Sequence, residues 1–255
     1  MAKPQPVRDA LLAVSLLTIV PTGARWPADG DTQVAAWFPL VGLAIGAIGY
    51  ALAHAASVFD AQVRAPYVVA AVIVIVWALL TRGLHWDGLA DVADGYWGSE
   101  DQTRRLEIMA DSATGAFGTA AVALAAILEV AALGAIVSTP HELPLLIIPV
   151  VGRFSATAAA WLGTPARPGG LGASVMRRPG AGAVVIALIP LAFALGCMWW
   201  AFGVFGLAFV AGGLVLALAT PHLLAKRFGG VTGDVMGASV LVTEILLFAT
   251  FALLG

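Results

Sequence analysis

The sequence predicts an all-α fold: a polytopic helical integral membrane protein of about seven transmembrane helices plus an N-terminal interfacial or re-entrant helix. Three observations carry this. The 255 residues are 60% hydrophobic and only 11% charged, whereas a soluble domain is about a quarter charged. Apolar runs of membrane-crossing length recur along the chain. The cations fall almost wholly into alternate connections between those runs. No alternating ten-residue pattern suggests a β-barrel. The single cysteine, Cys197, lies in an apolar run, which excludes a disulfide framework and a thiolate metal site. A net charge of −2 points to no nucleic-acid partner. No repeat or linker divides residues 1–255, which are read as one membrane-embedded domain.

The N-terminal run ends at Pro21 and shows no small-x-small cleavage site, so it reads as an interfacial or re-entrant helix rather than a signal peptide. The spans follow at roughly 34–56, 67–81, 114–137, 143–162, 181–200, 203–220 and 235–254. The 67–81 span is short, starting after Pro66 and meeting Arg82, and is expected to continue into a protein-lined, wet cavity. With the N-terminus cytoplasmic, that side collects Lys3, Arg8, Arg25, Arg82, Arg104, Arg105, Arg167, Arg177, Arg178, Lys226 and Arg227, eleven of the thirteen cations. Arg64 stands opposite and Arg153 lies within a span. This asymmetry predicts an odd number of crossings, with the C-terminus outside and the long loops 82–113 and 163–180 in the cytoplasm.

The first of those loops contains HWDGLADVADGYWGSE, residues 85–100. Its Asp87, Asp91 and Asp94 stand at i, i+4 and i+7, one narrow face of a helix. Carboxylates so close repel one another unless a cation balances them. Mg²⁺ suits them, because it prefers carboxylate oxygens and bridges to substrate phosphates. A solvated acidic face is the plainer reading. His85, Trp86, Gly88, Gly95 and Gly98 crowd the same stretch and tilt it towards a site. Glu107 and Asp111 follow at i, i+4. Glu107 reads equally as a surface partner of Arg104, and Asp111 as a helix cap or as a further ligand.

The loop GTPARPGGLGASVMRRPG sets Gly170, Gly172 and Ser174 among Arg167, Arg177 and Arg178. Backbone N–H groups with arginines suit phosphate oxygens, although the positive-inside rule alone accounts for arginines there. KRFGGVTGDVMGAS opens the last span, with Asp234 as a cap or as a contact to metal or hydroxyl. Three ionisable residues lie within spans: Glu129, Arg153 and Glu244. Such residues are paired or functional. The tight turn near 138–142 puts Glu129 and Arg153 at similar depth on a hairpin, which predicts that they pair.

GLHWDGLADVADGYWG followed by LEIMADSATGAFG closely resembles the cobalamin synthase family, the adenosylcobinamide-GDP ribazoletransferases. LLTIVPTG, WFPLVGLAIGAIGY, GGLGASV and FGGVTGDVMGAS extend the resemblance over most of the chain. One position departs: Leu241 stands where the family usually has glutamate, and the nearest acid is Glu244. The resemblance implies a Mg²⁺-dependent transferase of the plasma membrane, with its active-site loops cytoplasmic. It would join adenosylcobinamide-GDP to α-ribazole or α-ribazole 5′-phosphate, releasing GMP, late in vitamin B12 assembly.

On this reading Asp87, Asp91 and Asp94 hold Mg²⁺, and Asp111 or Asp234 takes the hydroxyl proton. Arg153, Gly170, Gly172, Arg177 and Arg178 bind the diphosphate substrate. Further partners are the lipid bilayer and a homo-oligomer or other cobalamin-assembly enzymes. Two other classes compete. A CDP-alcohol phosphotransferase also carries spaced aspartates, but its D-G-x2-A-R pattern fails at Asp91. A divalent-cation transporter would need its acids near the bilayer midplane.

Overall fold

Prolines mark where several helices begin. Pro lacks an N–H and fixes φ near the helical value, so it fits the first turn and not the interior. In the computed structural model, which describes residues 5–27, 30–167 and 169–255, Pro6, Pro39, Pro66 and Pro144 each stand in such a first turn. Lys3, counted above among the cations, lies outside the described residues.

The helices are α1 (Pro6–Leu17), α2 (Phe38–Ser57, preceded by a 3₁₀ turn Val34–Trp37), α3 (Ala61–Arg64), α4 (Pro66–Leu80) and α5 (Leu84–Gly98). They continue as α6 (Gln102–Ile108), α7 (Ala116–Val137), α8 (Leu143–Leu162), α9 (Gly170–Val175), α10 (Ala181–Ala225) and α11 (Gly233–Leu254). Among the described residues the only β-type pairing is an isolated bridge between Pro165 and Val231. Five segments are long and apolar enough to cross a membrane: 34–57, α7, α8, α10 and α11. At 12 residues α1 spans about 18 Å, too short to cross.

α10 is two limbs. Gly203 leaves the helical region, with φ 57° and ψ −133°, a conformation that a residue with a Cβ rarely adopts. The chain reverses there, and the Gly206 backbone comes against the Met198 carbonyl. In a straight helix those two residues would stand about 12 Å apart. α4 reaches crossing length only together with α5, from which it is bent by 88°. Arg82 and Gly83, both at positive φ, make that bend. Counting α10 as two limbs and α4 as the crossing part of the bent pair gives seven apolar segments at the places the sequence predicts. α5 does not extend α4. It turns away at a right angle and packs across the first turns of α11 and α7.

Close packing sets the rest. Gly42 and Gly46 of α2 meet the backbone of α8 at Pro149 and Leu146, the small-xxx-small device that lets apolar helices approach. Trp77 of α4 packs beside Gly49 and donates its indole N–H to the Ile45 carbonyl at 2.9 Å. α8 and α11 are the inner helices, whereas α10 and the outer face of α7 expose Leu124, Ile127, Leu188, Ile189, Val204 and Val215. Exposed leucines and valines on a spanning helix face lipid rather than water.

One end of the bundle gathers the connecting segments. Arg82 donates to the Ser15 and Leu16 carbonyls at the end of α1. Buried Arg105 donates to the Arg227 carbonyl and to Glu100. Arg167 reaches the Leu106 carbonyl, and Gln33 the Arg178 carbonyl. The strand-like bridge at Pro165 and Val231 closes the ring. The loops read from the sequence as one side of the membrane are thus hydrogen-bonded to one another.

Candidate functional site

α5 crosses α11 at two glycines. A methyl group added at Gly88 would lie 2.8 Å from the Asp234 carbonyl oxygen, and one at Gly237 would lie 3.2 Å from the Leu84 carbonyl oxygen. This contact brings Asp87 and Asp91 to the first turn of α11, where Asp234 stands. Asp91 shows the consequence. Partial burial, and then the charges of Asp87, Asp234 and Asp94, push its carboxyl up to about 7. A cation among these groups would relieve that repulsion.

Thr232 is the side chain that caps α11. Its hydroxyl oxygen accepts from Val235 N at 3.1 Å, and its hydroxyl donates to Asp234 Oδ2 at 3.2 Å. The cap reading of Asp234 is therefore corrected: Thr232 supplies the acceptor, and Asp234 turns towards a cavity of about 210 Å³. Asp87, His85, Arg167, Gly170 and Gly172 line the same cavity. The Gly172 backbone packs directly on Gly233, and that approach seats the glycine loop over the start of α11. Farther in the walls are apolar, with Phe38, Ala156, Val175, Met236 and Val240.

Asp94 has another task. Its two carboxylate oxygens accept from Gly115 N at 2.7 Å and Gly118 N at 2.8 Å, and the side chain is buried. It caps α7, where a negative charge is favoured by unpaired N–H groups and the helix dipole. The aspartates share a face, as their spacing predicts, but Asp94 is turned to α7. Among the described residues, no three His, Cys, Asp or Glu side chains form a group that could hold a metal ion by themselves. Asp94→Asn is expected to lower stability by about 1–3 kcal/mol, because an amide offers one acceptor where two are used. A thermal melt in detergent reads this. An altered Mg²⁺ requirement with an unchanged melt would return Asp94 to the ligand set.

The remaining predicted site residues sit elsewhere. Asp111 is exposed before α7, accepts from Ala113 N at 3.0 Å, and lines none of the cavities described here. It does not cap α7, because Asp94 already meets that helix's first N–H groups. The Arg177 guanidinium bonds the Gly30 carbonyl at 3.3 Å, and Gln33 donates to the backbone carbonyl of Arg178, so this end of the loop is tied to the N-terminal segment. Arg167 is the arginine at the cavity. Glu107 pairs with Arg104 at 2.8 Å.

Arg153 is buried and forms its ion pair with Glu244 of α11. The predicted partner Glu129 lies close enough to feel both charges but makes no ion pair with it, and its Oε2 is buried without a hydrogen-bond partner. Neither Arg153 nor Glu129 lines that cavity. Depth along a hairpin suggested the first pairing; the packing of α8 against α11 decides it. His85, one of the residues that tilt the stretch towards a site, lines the cavity and lies close enough to Arg153 to feel its charge. Burial, and then the Arg153 charge, hold its pKa well below the ordinary value, so the imidazole is neutral.

A profile of the family described as "Cobalamin-5-phosphate synthase" matches residues 9–252. A protein of Syntrophobacter fumaroxidans named adenosylcobinamide-GDP ribazoletransferase is 41% identical over 218 residues, 85% of each chain. Proteins of the same name from Desulforamulus reducens and Frankia casuarinae are 35% and 36% identical. They cover 89% and 96% of this chain, and 89% and 94% of their own. No solved structure matches the chain.

Proposed function

The chain belongs to the cobalamin-5-phosphate synthase family, and from that premise we propose that it joins adenosylcobinamide-GDP to α-ribazole or α-ribazole 5′-phosphate. GMP is released, and the product is the complete corrinoid or its 5′-phosphate. The observation that carries this reading is the meeting of Asp87 and Asp234 at a cavity that Arg167 and the glycine loop also line, with Asp91 close enough to feel the charge of both. Phosphoryl transfer needs little else than positioning and charge neutralisation. The carboxylates fit Mg²⁺, which is held through one or two carboxylates and completes its shell with water and phosphate. Bound by Asp87 and Asp91, the ion would neutralise charge on the diphosphate and on the departing phosphate.

The chain's own groups do the rest. Arg167 and the backbone N–H groups of the glycine loop steady phosphate oxygens. The ribazole hydroxyl attacks the phosphorus next to the cobinamide arm. Its oxygen–phosphorus bond forms as the bond to GMP breaks, and Asp234 takes its proton. Asp234 is preferred to Asp111 because it stands at the cavity. Purified protein given adenosylcobinamide-GDP, α-ribazole and Mg²⁺ is expected to yield GMP and complete corrinoid in equal amounts. Failure to release GMP, together with incorporation of labelled glycerol phosphate or inositol from a CDP-lipid, would make it a CDP-alcohol phosphotransferase instead.

We place the site on the cytoplasmic side of the plasma membrane. The hydrogen-bonded end of the bundle carries Arg82, Arg105, Arg167, Arg178 and Arg227, and positively charged ends stay inside. Reporter fusions after Ser99, Met176 and Gly230 are expected to read cytoplasm, and one at Gly255 the far side. With those three loops cytoplasmic, a cytoplasmic Gly255 would overturn the odd number of crossings.

A further inference from the structure

Two cavities meet at Asp87. The first is the enclosed one beneath the glycine loop. The second is an open cleft of about 860 Å³ on the other side of α5, lined by Arg82, Trp86, Ala90, Thr119 and Ala123. Asp87 and Leu84 line both, so α5 is the wall between them. Resting on the transferase reading above, we infer that the two substrates approach the metal-binding carboxylates from the two sides of α5. The enclosed cavity takes the benzimidazole nucleoside, and the open cleft takes the corrinoid–nucleotide diphosphate.

Reaction geometry requires separate approaches. The attacking and leaving oxygens stand roughly in line through phosphorus, so acceptor and leaving group cannot share one pocket. The chemistry of the walls then assigns them. The inner part of the enclosed cavity is built from Phe38, Ala156, Val175, Met236 and Val240. Guanine, with its amide and amino edge, would be stranded there without partners, at a real cost. A dimethylbenzimidazole carries methyl groups on that edge and has a single imine nitrogen to satisfy, so it loses far less by burial. Its ribose then points back to Asp87 and Asp234 at the mouth, where the hydroxyl has to react. Arg167 and the glycine loop also lie at the mouth, where a 5′-phosphate, when present, would reach them. The open cleft has the larger volume and no roof. It suits a substrate most of whose bulk, the corrin ring, remains outside the protein. Thr119 and Ala123 are exposed on α7 at its rim.

Equilibrium binding of each substrate alone to the purified protein, with Mg²⁺, tests the assignment. Ala156→Leu and Ala173→Leu narrow the enclosed cavity from its depth and from its rim. Thr119→Trp and Ala123→Trp narrow the cleft, on exposed positions that the fold tolerates. The expected result is a crossed pattern. The first pair weakens α-ribazole roughly tenfold or more and leaves adenosylcobinamide-GDP unchanged; the second pair does the reverse. Melting temperatures screen out variants that fail to fold, and Ala173→Leu, at a half-buried rim, keeps the ribazole arm measurable if Ala156→Leu is lost. A reversed pattern, or loss of both substrates in one pair of folded variants, overturns the assignment. So does unchanged binding in all four. Wild-type protein that binds neither substrate would sink the transferase reading itself, a distinct outcome.

Discussion

Asp91→Asn protein is expected to turn over about 10²–10³-fold more slowly than wild type at saturating substrate, with the fold intact. Asp91 is central among Asp87, Asp94 and Asp234, and their charges together with partial burial already push its carboxyl to about 7. It is the group whose ionised form most needs a cation beside it, and which offers that cation most in return. Replacing its charge with an amide of the same shape would weaken the hold on Mg²⁺ and so the neutralisation of the developing phosphate charge, an effect worth about 3–4 kcal/mol. Stability should hold or rise, because carboxylate repulsion is relieved. The companion variant is Asp101→Asn. Asp101 caps α6 by accepting from Arg104 N at 2.8 Å, and asparagine caps about as well as aspartate, so it should be near wild type. The measurement is turnover against Mg²⁺ concentration. Equal and small effects in both variants would reduce Asp87 and Asp91 to surface charge.

The contrast between Asp91 and Asp94 shows what the sequence can carry. Helical period alone places both on one face of α5, and the structure agrees. What each faces depends on which helix ends nearby. Asp94 finds Gly115 and Gly118, more than twenty residues on, and no local pattern announces that meeting. The seven apolar segments were legible because the membrane dictates their length. Lateral order was not. In a spanning helix the lipid-facing and core-facing residues are both apolar, so periodicity says little about neighbours. Hence Arg153 was matched to Glu129 across a short turn, when its partner Glu244 comes from the last helix. The arginines of the glycine loop were ambiguous for a different reason. Positive charge on the inner side is expected with or without a ligand, so only the fold separates Arg167 at the cavity from Arg177 and Arg178 on the N-terminal segment. The right-angle turn before α5 rests on Arg82 and Gly83 at positive φ. It makes a plate across the bundle from what reads as the tail of a short span.

Arg153→Met is expected to be the most destabilising single change in the bundle. Arg153, Glu129 and Glu244 are all buried, and Arg153 bonds Glu244 directly while Glu129 stands near both. One guanidinium thus serves two acids. Removing it strands both acids in a buried helix core, and breaking even one such pair costs about 3–5 kcal/mol. Glu244→Gln should cost less, since Glu129 remains beside the guanidinium as a counter-charge. The side chains interact, so the losses should not add. Glu244→Gln in the Arg153→Met background should recover part of the folded yield, and Glu129→Gln added to both should recover more, as each removes a stranded charge. Thermal midpoints and the monodisperse fraction in detergent measure this order. Additive losses across the series would dissolve the cluster into three independent residues. Arg153→Met protein that folds normally yet binds adenosylcobinamide-GDP poorly would instead move Arg153 from the helix core to the substrate, where the sequence first put it.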